Sequence, residues 1–378
     1  MKRRFRSGGL LSLAAGLWMT WTACTSPAVV SRDPVAPVSA PPAKLAPPSA
    51  ASFSPERAWF HLESIVRRGP RPAGGEQAAA VRTYLQNRLR ASGFQVEIVE
   101  HALDAPLPAP DGDGPAQEPA AGRLVKSLVA RLPGPSADLV LVAAPYTSPE
   151  PSGIPLPGAN AGGSGAAVAL ELARALAEGT RHYSYLFVFV AGDGVGAAPL
   201  EGSREVALHL ARSGALAQAR AGLFLDRVGD AELLVRRDLH SSAPYRDIVW
   251  EQAEARGYGG AFASEGFAEL VAGHRAFGSA GLRQMVALVA PVSAGFGDGT
   301  GSSEEALATC SSESLAAVGR VSLGSLRAIE SRLDRIDRYA ASPAPTTARD
   351  ARDREAASID SLPAREGVAT STEEGASP

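Results

Sequence analysis

Two carboxylates stand at positions where they could do chemistry, because each lies at or just beyond the end of a short apolar run. Asp193 follows residues 185–190, and Asp226 follows residues 222–225. A carboxylate at the end of a buried strand can serve as a general base or a metal ligand, or it can simply cap neighbouring backbone. Asp193 also stands between two glycines, a composition that is typical of a plain turn. No Gly-x-Ser-x-Gly elbow is present, which argues against a serine hydrolase.

Composition limits the class of protein that the chain can be. The 378 residues are 45% hydrophobic and 20% charged, with a formal net charge of -3, so a sizeable core can be buried. A near-neutral charge without a basic stripe gives no reason to expect a nucleic-acid partner. Only two cysteines are present, Cys24 and Cys310, which excludes a disulfide framework.

Residues 1–24 are typical of a lipoprotein signal peptide. A basic start precedes an apolar segment, residues 8–22, that is too short to span a bilayer comfortably. The segment runs through Ala23 into Cys24, which resembles a lipobox and implies that Cys24 carries a lipid anchor; the alternative is a plain cleaved signal with an incidental cysteine. By the same resemblance, Thr25 implies the outer membrane if the host has one. We therefore expect an exported protein that is anchored to a membrane of the cell envelope.

Polar and Pro-rich segments flank one ordered region. Residues 25–53 hold many Pro and Ala residues and few large apolar ones, which predicts a disordered tether. Residues 336–378 are rich in Ser, Pro, Ala and charge, which predicts a disordered tail. A single folded domain is therefore expected over residues 54–335.

Between these segments, helix and strand patterns alternate. The predicted helices cover residues 76–91, 165–177, 203–213, 245–256 and 313–329. The predicted strands cover residues 94–99, 124–132, 139–144, 185–190, 222–225 and 285–289. The alternation predicts an α/β fold, a three-layer sandwich whose mixed, mostly parallel sheet carries helices on both faces. Ligands bind beyond the carboxyl ends of such strands, so the informative loops are those after residues 144, 190, 225 and 289, which include Asp193, Asp226 and Asp298.

An ordered series of sequence blocks resembles the zinc aminopeptidases, which share a fold with the glutaminyl-peptide cyclotransferases. The series spans roughly residues 56–333, and the order and spacing of so many blocks make it specific. In chain order the blocks include Arg68-Gly69-Pro70-Arg71, Leu132-Pro133-Gly134, Pro157-Gly158-Ala159 through Ser164-Gly165, Gly202-Ser203-Arg204, Leu225 through Asp230, and His274 through Phe277. The resemblance implies the fold of a co-catalytic zinc metallopeptidase.

The resemblance also implies two zinc ions, held by His, Asp and Glu side chains beside a carboxylate base that activates a water. At those positions this sequence departs from the family. Pro145 stands where the first His ligand is expected, and Thr147 stands where a supporting Asp is expected. Asn160 replaces the bridging carboxylate. Asp193-Gly194 replaces a Glu-Glu pair, so a shortened base remains at Asp193 and one ligand is lost.

Three further positions complete this comparison. Asp226 occupies its ligand position, and Asp298, in the Gly-rich run 295–301, is the only stand-in for the last His ligand. His274 matches a family His that supports the site, although Gly273 replaces the Asp before it. The alternative for His274 is a buried histidine that only makes hydrogen bonds.

Three hypotheses about function follow. The favoured one is a lipid-anchored, catalytically inactive pseudo-metallopeptidase without a cofactor, which binds a peptide or protein in the remnant cleft or acts as a scaffold. The second is an active zinc-dependent aminopeptidase or glutaminyl-peptide cyclotransferase with divergent ligands. The third is a hydrolase that uses Asp193 and Asp226 with one metal or none. The first is favoured because losing several ligands together lowers zinc affinity more than a change outside the ligand set does.

Overall fold

The computed structural model describes residues 51–103, 123–150, 156–194, 200–290 and 302–341. Cys24, Thr25 and Asp298 lie outside these residues, as do most of the two predicted flanking segments. Among the described residues, no helix combines the length and the apolar character needed to cross a membrane.

A mixed sheet forms the centre of the described chain. The strands described are β1 (Gln95–Leu103), β2 (Arg123–Leu132), β3 (Leu139–Pro145), β4 (Ser184–Val190), β5 (Ala219–Asp226), β6 (Val235–Asp238), β7 (Phe262–Ala268) and β8 (Met285–Val289). Six of them form one sheet in the order β1-β2-β4-β3-β5-β8, and β6 pairs with β7 separately. β4, β3, β5 and β8 run parallel to one another, whereas β1 and β2 join antiparallel at one edge. The predicted mixed, mostly parallel sheet is confirmed.

β3 shows why the sheet needs a cover on each face. All of its residues are buried, and its side chains alternate between two hydrophobic cores. One core takes Val140, Val142 and Ala144, and the other takes Leu139, Leu141 and Ala143. Successive side chains of a strand point to opposite faces, so a continuous apolar run is stable only between two layers.

Helices supply those two layers. The described helices are α1 (Pro55–Val66), α2 (Glu76–Ala91), α3 (Gly165–Glu178), α4 (Glu201–Arg212), α5 (Ala215–Gln218), α6 (Ala243–Ala255), α7 (His274–Ser279), α8 (Ser303–Ala308) and α9 (Ser312–Ala341). Residues of α1, α2, α3, α6 and α9 belong to one core, and residues of α4 and α7 belong to the other. The predicted three-layer α/β sandwich is therefore confirmed.

The helices differ from the sequence prediction in two ways. α1, α5, α7 and α8 are not among the predicted helices, although Ser54 caps α1 by accepting the Arg57 backbone N–H at 3.2 Å. α9 continues to Ala341, past the predicted helix end at 329 and into the segment predicted as a disordered tail from 336. The extension is held by the Asp337 carboxylate, which accepts hydrogen bonds from Arg220 Nη2 at 2.8 Å and from the Tyr183 hydroxyl at 2.6 Å.

Candidate functional site

A small cavity lies at the carboxyl ends of β3, β4 and β5, the edge at which the fold class predicts a ligand site. Its volume is about 110 Å³. Asp193 and Asp226 both line it, together with Pro145 and Thr147. The structure therefore brings the two predicted carboxylates into one cavity, while Asp298 lies outside the described residues.

Asp193 is fixed by the start of α4. It follows β4 in a turn whose flanking glycines, Gly192 and Gly194, both have positive φ. Its Oδ1 accepts the Ser203 backbone N–H at 2.8 Å, and its Oδ2 accepts the Ser203 hydroxyl at 2.5 Å. Burial raises the pKa of Asp193 to about 7; the Ser203 hydrogen bonds oppose this rise, and the charge of Asp226 adds to it. Asp193 is therefore close to half protonated at neutral pH and also caps the first turn of α4.

Asp226 is paired with a cation from its own chain. Arg227 Nη1 donates to Asp226 Oδ2 at 2.9 Å, and Arg227 Nε donates to the Ala290 carbonyl at 3.2 Å. The other carboxylate oxygen, Oδ1, accepts the Gly162 backbone N–H at 3.4 Å. Among the described residues other than glycine, Arg227 alone has a positive φ, 53°. That conformation is disfavoured by roughly 1 kcal/mol for a residue with a Cβ, so the surrounding contacts must hold it.

Asn160 does not line the cavity, although the sequence comparison places it at a metal position. Its Oδ1 accepts the Gly229 backbone N–H at 2.9 Å. The neighbouring Ser164 hydroxyl donates to the Asn160 carbonyl at 2.6 Å and accepts the Val228 N–H at 2.9 Å. The segment Asn160–Ser164 therefore forms a distorted turn that ties the start of α3 to the chain following β5.

Thr147 replaces a supporting carboxylate with a backbone contact. Its Oγ1 accepts the Gly192 N–H at 3.1 Å, which joins the loop after β3 to the turn that holds Asp193. The same loop approaches Gly162 so closely that a Cβ there would lie 2.0 Å from the Thr147 carbonyl oxygen. The loops around the cavity are thus linked mainly by backbone groups.

His274 is buried and does not line the cavity. Its Nε2 lies 3.0 Å from Asp238 Oδ2, and Asp238 also accepts the Leu270 N–H at 3.0 Å and the Ser241 hydroxyl at 2.9 Å. Burial raises the pKa of Asp238, but the hydrogen bonds from His274 and Leu270 outweigh it, so the pKa is lowered overall. The geometry agrees with the structural alternative for His274. Sequence analysis missed Asp238, which ends β6 and is distant along the chain.

Buried charges set the position of the loop that follows β3. Arg71 is fully buried and donates to the carbonyls of Tyr146 at 3.2 Å, Pro157 at 2.7 Å and Gly158 at 2.7 Å. Glu150, at the other end of the loop, pairs with Arg123 at 2.7 Å in a second buried contact. The sequence indicates Arg71 only as part of a family block; its role as a clamp on two loops needs the structure.

The donors in the described part of the chain do not fit a pair of zinc ions. Within those residues, no three His, Cys, Asp or Glu side chains lie close enough together to hold a metal. Pro145 and Gly194 have no donor atom in the side chain, and both cavity carboxylates already have partners. What the cavity offers a small ligand is a partly protonated carboxyl group and an adjacent ion pair.

Comparison with known proteins supports the predicted resemblance. The model of Peptidase family M28 matches residues 127–286. No curated protein matches the chain.

Solved structures with the same fold are glutaminyl cyclases and zinc-dependent exopeptidases. A glutaminyl cyclase from an Acidobacteriales bacterium is 23% identical, with a TM-score of 0.64 over 77% of this chain and 100% of that chain. The glutaminyl cyclase of Porphyromonas gingivalis is 23% identical, with a TM-score of 0.62 over 73% of this chain and 99% of that one. A Zn-dependent exopeptidase from Parabacteroides distasonis is 21% identical, with a TM-score of 0.60 over 73% of this chain and 98% of that one. At these identities the likeness establishes the fold.

Proposed function

We propose that this chain is a lipid-anchored protein of the cell envelope whose peptidase-like domain is catalytically inactive and acts in binding or as a scaffold. One observation carries the proposal: both cavity carboxylates are committed to internal partners. Asp193 is bonded to Ser203, and Asp226 is paired with Arg227. Either would have to give up these contacts before it could ligate a metal.

Electrostatics supports inactivity. Two dications a few ångströms apart repel strongly, and bridging and flanking carboxylates are what make such a pair stable. The expected bridge is the neutral Asn160, whose side-chain oxygen is bonded to the Gly229 N–H. Without metals, the water that these enzymes activate keeps its ordinary acidity, and Asp193 has no acidified nucleophile to deprotonate.

The small volume of the cavity favours binding of a single chemical group of a larger ligand. Pockets that enclose a whole small molecule are typically about 300–1,000 Å³, whereas this cavity is about 110 Å³. It is large enough for one side chain or one chain end of a longer ligand. A peptide or protein that places a single group in the cavity therefore fits better than a free metabolite.

The anchor is proposed from the sequence alone. A basic start, a short apolar segment and Cys24 at its end favour lipid attachment, and multiple acyl chains on one residue hold a protein stably on a membrane. Thr25 favours the outer membrane in a host that has one. The segment from residue 25 to the start of the domain then acts as a tether.

An active zinc-dependent aminopeptidase or glutaminyl-peptide cyclotransferase is the second candidate. The family match and the solved structures with this fold favour it. So does Asp193, because a carboxyl group with a pKa of about 7 is suited to proton transfer near neutral pH. The zinc content of the purified chain, followed by turnover of an aminoacyl chromogenic substrate and of an N-terminal glutaminyl peptide, separates the two candidates.

A further inference from the structure

The cavity contains a cation that belongs to the chain itself. The Arg227 guanidinium bridges the ends of two parallel strands, because Nη1 donates to Asp226 at the end of β5 and Nε donates to Ala290 just after β8. Arg227 also lines the cavity wall. The positive charge therefore lies beside the one carboxylate that retains its ligand position in the family comparison.

The backbone explains how neighbouring residues can reach the same cavity. Side chains of successive residues in a strand point to opposite faces. Arg227 has a φ of 53°, which breaks this alternation and lets its side chain lie beside that of Asp226. The disfavoured conformation is thus tied to a specific contact, the Asp226–Arg227 pair.

We infer that Arg227 is the resident cation of this site and supplies to Asp226 the positive charge that the family's zinc would supply. This inference rests on the proposed function, since it explains why a metal is not needed to balance Asp226. A guanidinium is always charged near neutral pH and bonds well to carboxylates. A dication placed against the same carboxylate would be repelled by the Arg227 guanidinium.

One consequence concerns restoration of the metal site. The sequence comparison alone suggests that Pro145→His, Asn160→Asp and Gly194→Glu would rebuild the described part of the ligand set. Because Arg227 remains in place, we expect the triple variant to stay free of zinc. Adding Arg227→Met removes the competing charge and keeps an unbranched side chain, and we expect the quadruple variant to acquire zinc.

The test is elemental analysis after dialysis of each full-length variant against zinc. The inference predicts zinc uptake by the quadruple variant only. Zinc uptake by the triple variant with Arg227 intact, or no uptake by the quadruple variant when it folds, would overturn it. In either case, absence of zinc from the unmodified protein would leave the proposed function standing.

A double-mutant cycle decides the matter if the multiple variants do not fold. Arg227→Met should lower the melting temperature by several degrees, and adding Asp226→Asn should recover much of that loss because no unpaired charge remains. Arg237→Met is a matched control, since Arg237 pairs with Asp247 at 3.1 Å and its side chain is 22% exposed, against 21% for Arg227. Strict additivity of the Arg227 and Asp226 substitutions would contradict the inference.

A second, independent feature lies on the surface formed by α1, the turn that follows it and α2. We call it the basic-aromatic face, and it consists of Arg57, Phe60, Arg68, Tyr84 and Arg88. The Arg68 guanidinium carbon lies 5.1 Å from the centre of the Tyr84 ring. That of Arg88 lies 5.3 Å from the Tyr84 ring and 5.9 Å from the Phe60 ring. Stacking of this kind orients a guanidinium and leaves its N–H edges available.

The arginines of this face have no carboxylate partner in the described part of the chain. Within the described residues, Arg57, Arg68 and Arg88 are exposed and none of them forms an ion pair with a carboxylate. His61 lies beneath them, with Nδ1 2.7 Å from the Tyr84 hydroxyl. Burial lowers the pKa of His61 to about 4, and the charges of Arg88 and Arg57 contribute to the lowering. The face therefore presents several fixed cations to solvent.

The occupant follows from the position of the face on the chain. α1 starts at Pro55, directly after the tether, and Phe60 in its middle is 52% exposed. The proposed anchor at Cys24 links the domain covalently to its membrane. The second contact with that membrane is then intramolecular, so a weak surface contact is sufficient.

We propose that the basic-aromatic face docks on the anionic phospholipid headgroups of the membrane that carries the anchor. The arginines bind headgroup phosphates, and Phe60 enters the interfacial region. The docking contact is separate from the cavity and would orient the cavity relative to the membrane.

The test uses the chain from Thr25 to Pro378 without a lipid, sedimented with phosphatidylglycerol-containing vesicles at low salt. We expect binding that is lost at high salt and absent with pure phosphatidylcholine. The variant Arg68→Gln/Arg88→Gln should bind more weakly by roughly fivefold for each arginine removed. The matched control is Arg236→Gln/Arg283→Gln, which changes two exposed arginines elsewhere and should bind as the parent does.

Three results would overturn this proposal. They are no binding of the parent chain to anionic vesicles, equal binding by the Arg68→Gln/Arg88→Gln variant, and an equal loss in the control variant. Because the chain tested carries no lipid, its outcome is independent of whether Cys24 is acylated in the cell.

Discussion

The Asp193 carboxylate accepts both the hydroxyl of Ser203, at 2.5 Å, and the backbone N–H of Ser203, at 2.8 Å. The residue at the family's base position thus caps the first turn of α4. Its pKa is raised by burial to about 7, so the neutral carboxyl group is more favoured in the folded chain than in the unfolded chain. Asp193 therefore has a structural role in this chain, and its contribution to stability depends on pH.

The contribution of Asp193 to the free energy of unfolding should fall as the pH rises from about 4 to 7. The folded chain binds a proton at Asp193 in this window and the unfolded chain does not, because the folded pKa of about 7 lies above the ordinary value of 3.8. Because each pKa unit is worth about 1.4 kcal/mol, the loss across this window is on the order of 4 kcal/mol. Denaturant unfolding at several pH values should show a flatter profile for Asp193→Asn. A variant of the exposed Asp247, Asp247→Asn, should keep the parental slope, and an unchanged slope in Asp193→Asn would refute the assignment.

The Asp238–His274 contact should stabilise the fold and have no part in chemistry. Asp238→Ala removes the acceptor of three buried hydrogen bonds and should lower the free energy of unfolding by about 2–4 kcal/mol. Since the pKa of Asp238 is lowered, its contribution is present above pH 4 and is lost as pH falls further. Asp238→Asn should cost less, because it keeps an acceptor. Equal stability of Asp238→Ala and the parent above pH 5 would show that the contact contributes nothing.

Arg71 should contribute far more to the free energy of unfolding than an exposed arginine nearby. Arg71→Met leaves three loop carbonyls without their charged donor and should lower the free energy of unfolding by roughly 3 kcal/mol. Arg67→Met is the control, because Arg67 is 59% exposed and its ion-pair partner among the described residues is Glu63, one helical turn away. That pair is worth about 0.5 kcal/mol at most. Urea unfolding of both variants measures the difference, and comparable losses would argue against the clamp.

Membrane attachment should depend on Cys24. Expressed with its signal in a bacterium that processes lipoproteins, the parent chain should be found in the membrane fraction and incorporate labelled palmitate. Cys24→Ala should lose the label. Cys310→Ala is the control, since it removes the other cysteine and should remain labelled. Label retained in Cys24→Ala would show that the lipobox interpretation is wrong.

Strong local patterns explain which elements could be predicted from sequence. The boundaries 76–91 and 285–289 agree with α2 and β8 residue for residue, because one has a clear helical period and the other is a short apolar run. β6 and β7 were missed, because their residues are short runs with many exposed positions and little alternation. α9 was predicted too short, because the contact that extends it, between Asp337 and Arg220, joins distant parts of the chain.

The site could be predicted only in part, because contacts between residues that are distant along the chain leave no local sequence pattern. The strand order is enough to place Asp193 and Asp226 at one edge of the sheet. It says nothing of Asp238, whose partner His274 is 36 residues further along the chain. Arg227 directly follows Asp226, so a signal was present, but its proximity to the same cavity depends on a backbone φ that sequence patterns do not reveal.

Catalytic inactivity is tested by the metal content of the purified mature protein, followed by its peptidase and cyclase activity with and without added zinc. The parent chain should contain no stoichiometric zinc, and its turnover of an aminoacyl chromogenic substrate and of a glutaminyl peptide should equal that of Asp193→Asn/Asp226→Asn. Near-stoichiometric zinc in the unmodified protein, together with turnover that a chelator abolishes, would contradict the account and identify an active metallopeptidase or cyclotransferase.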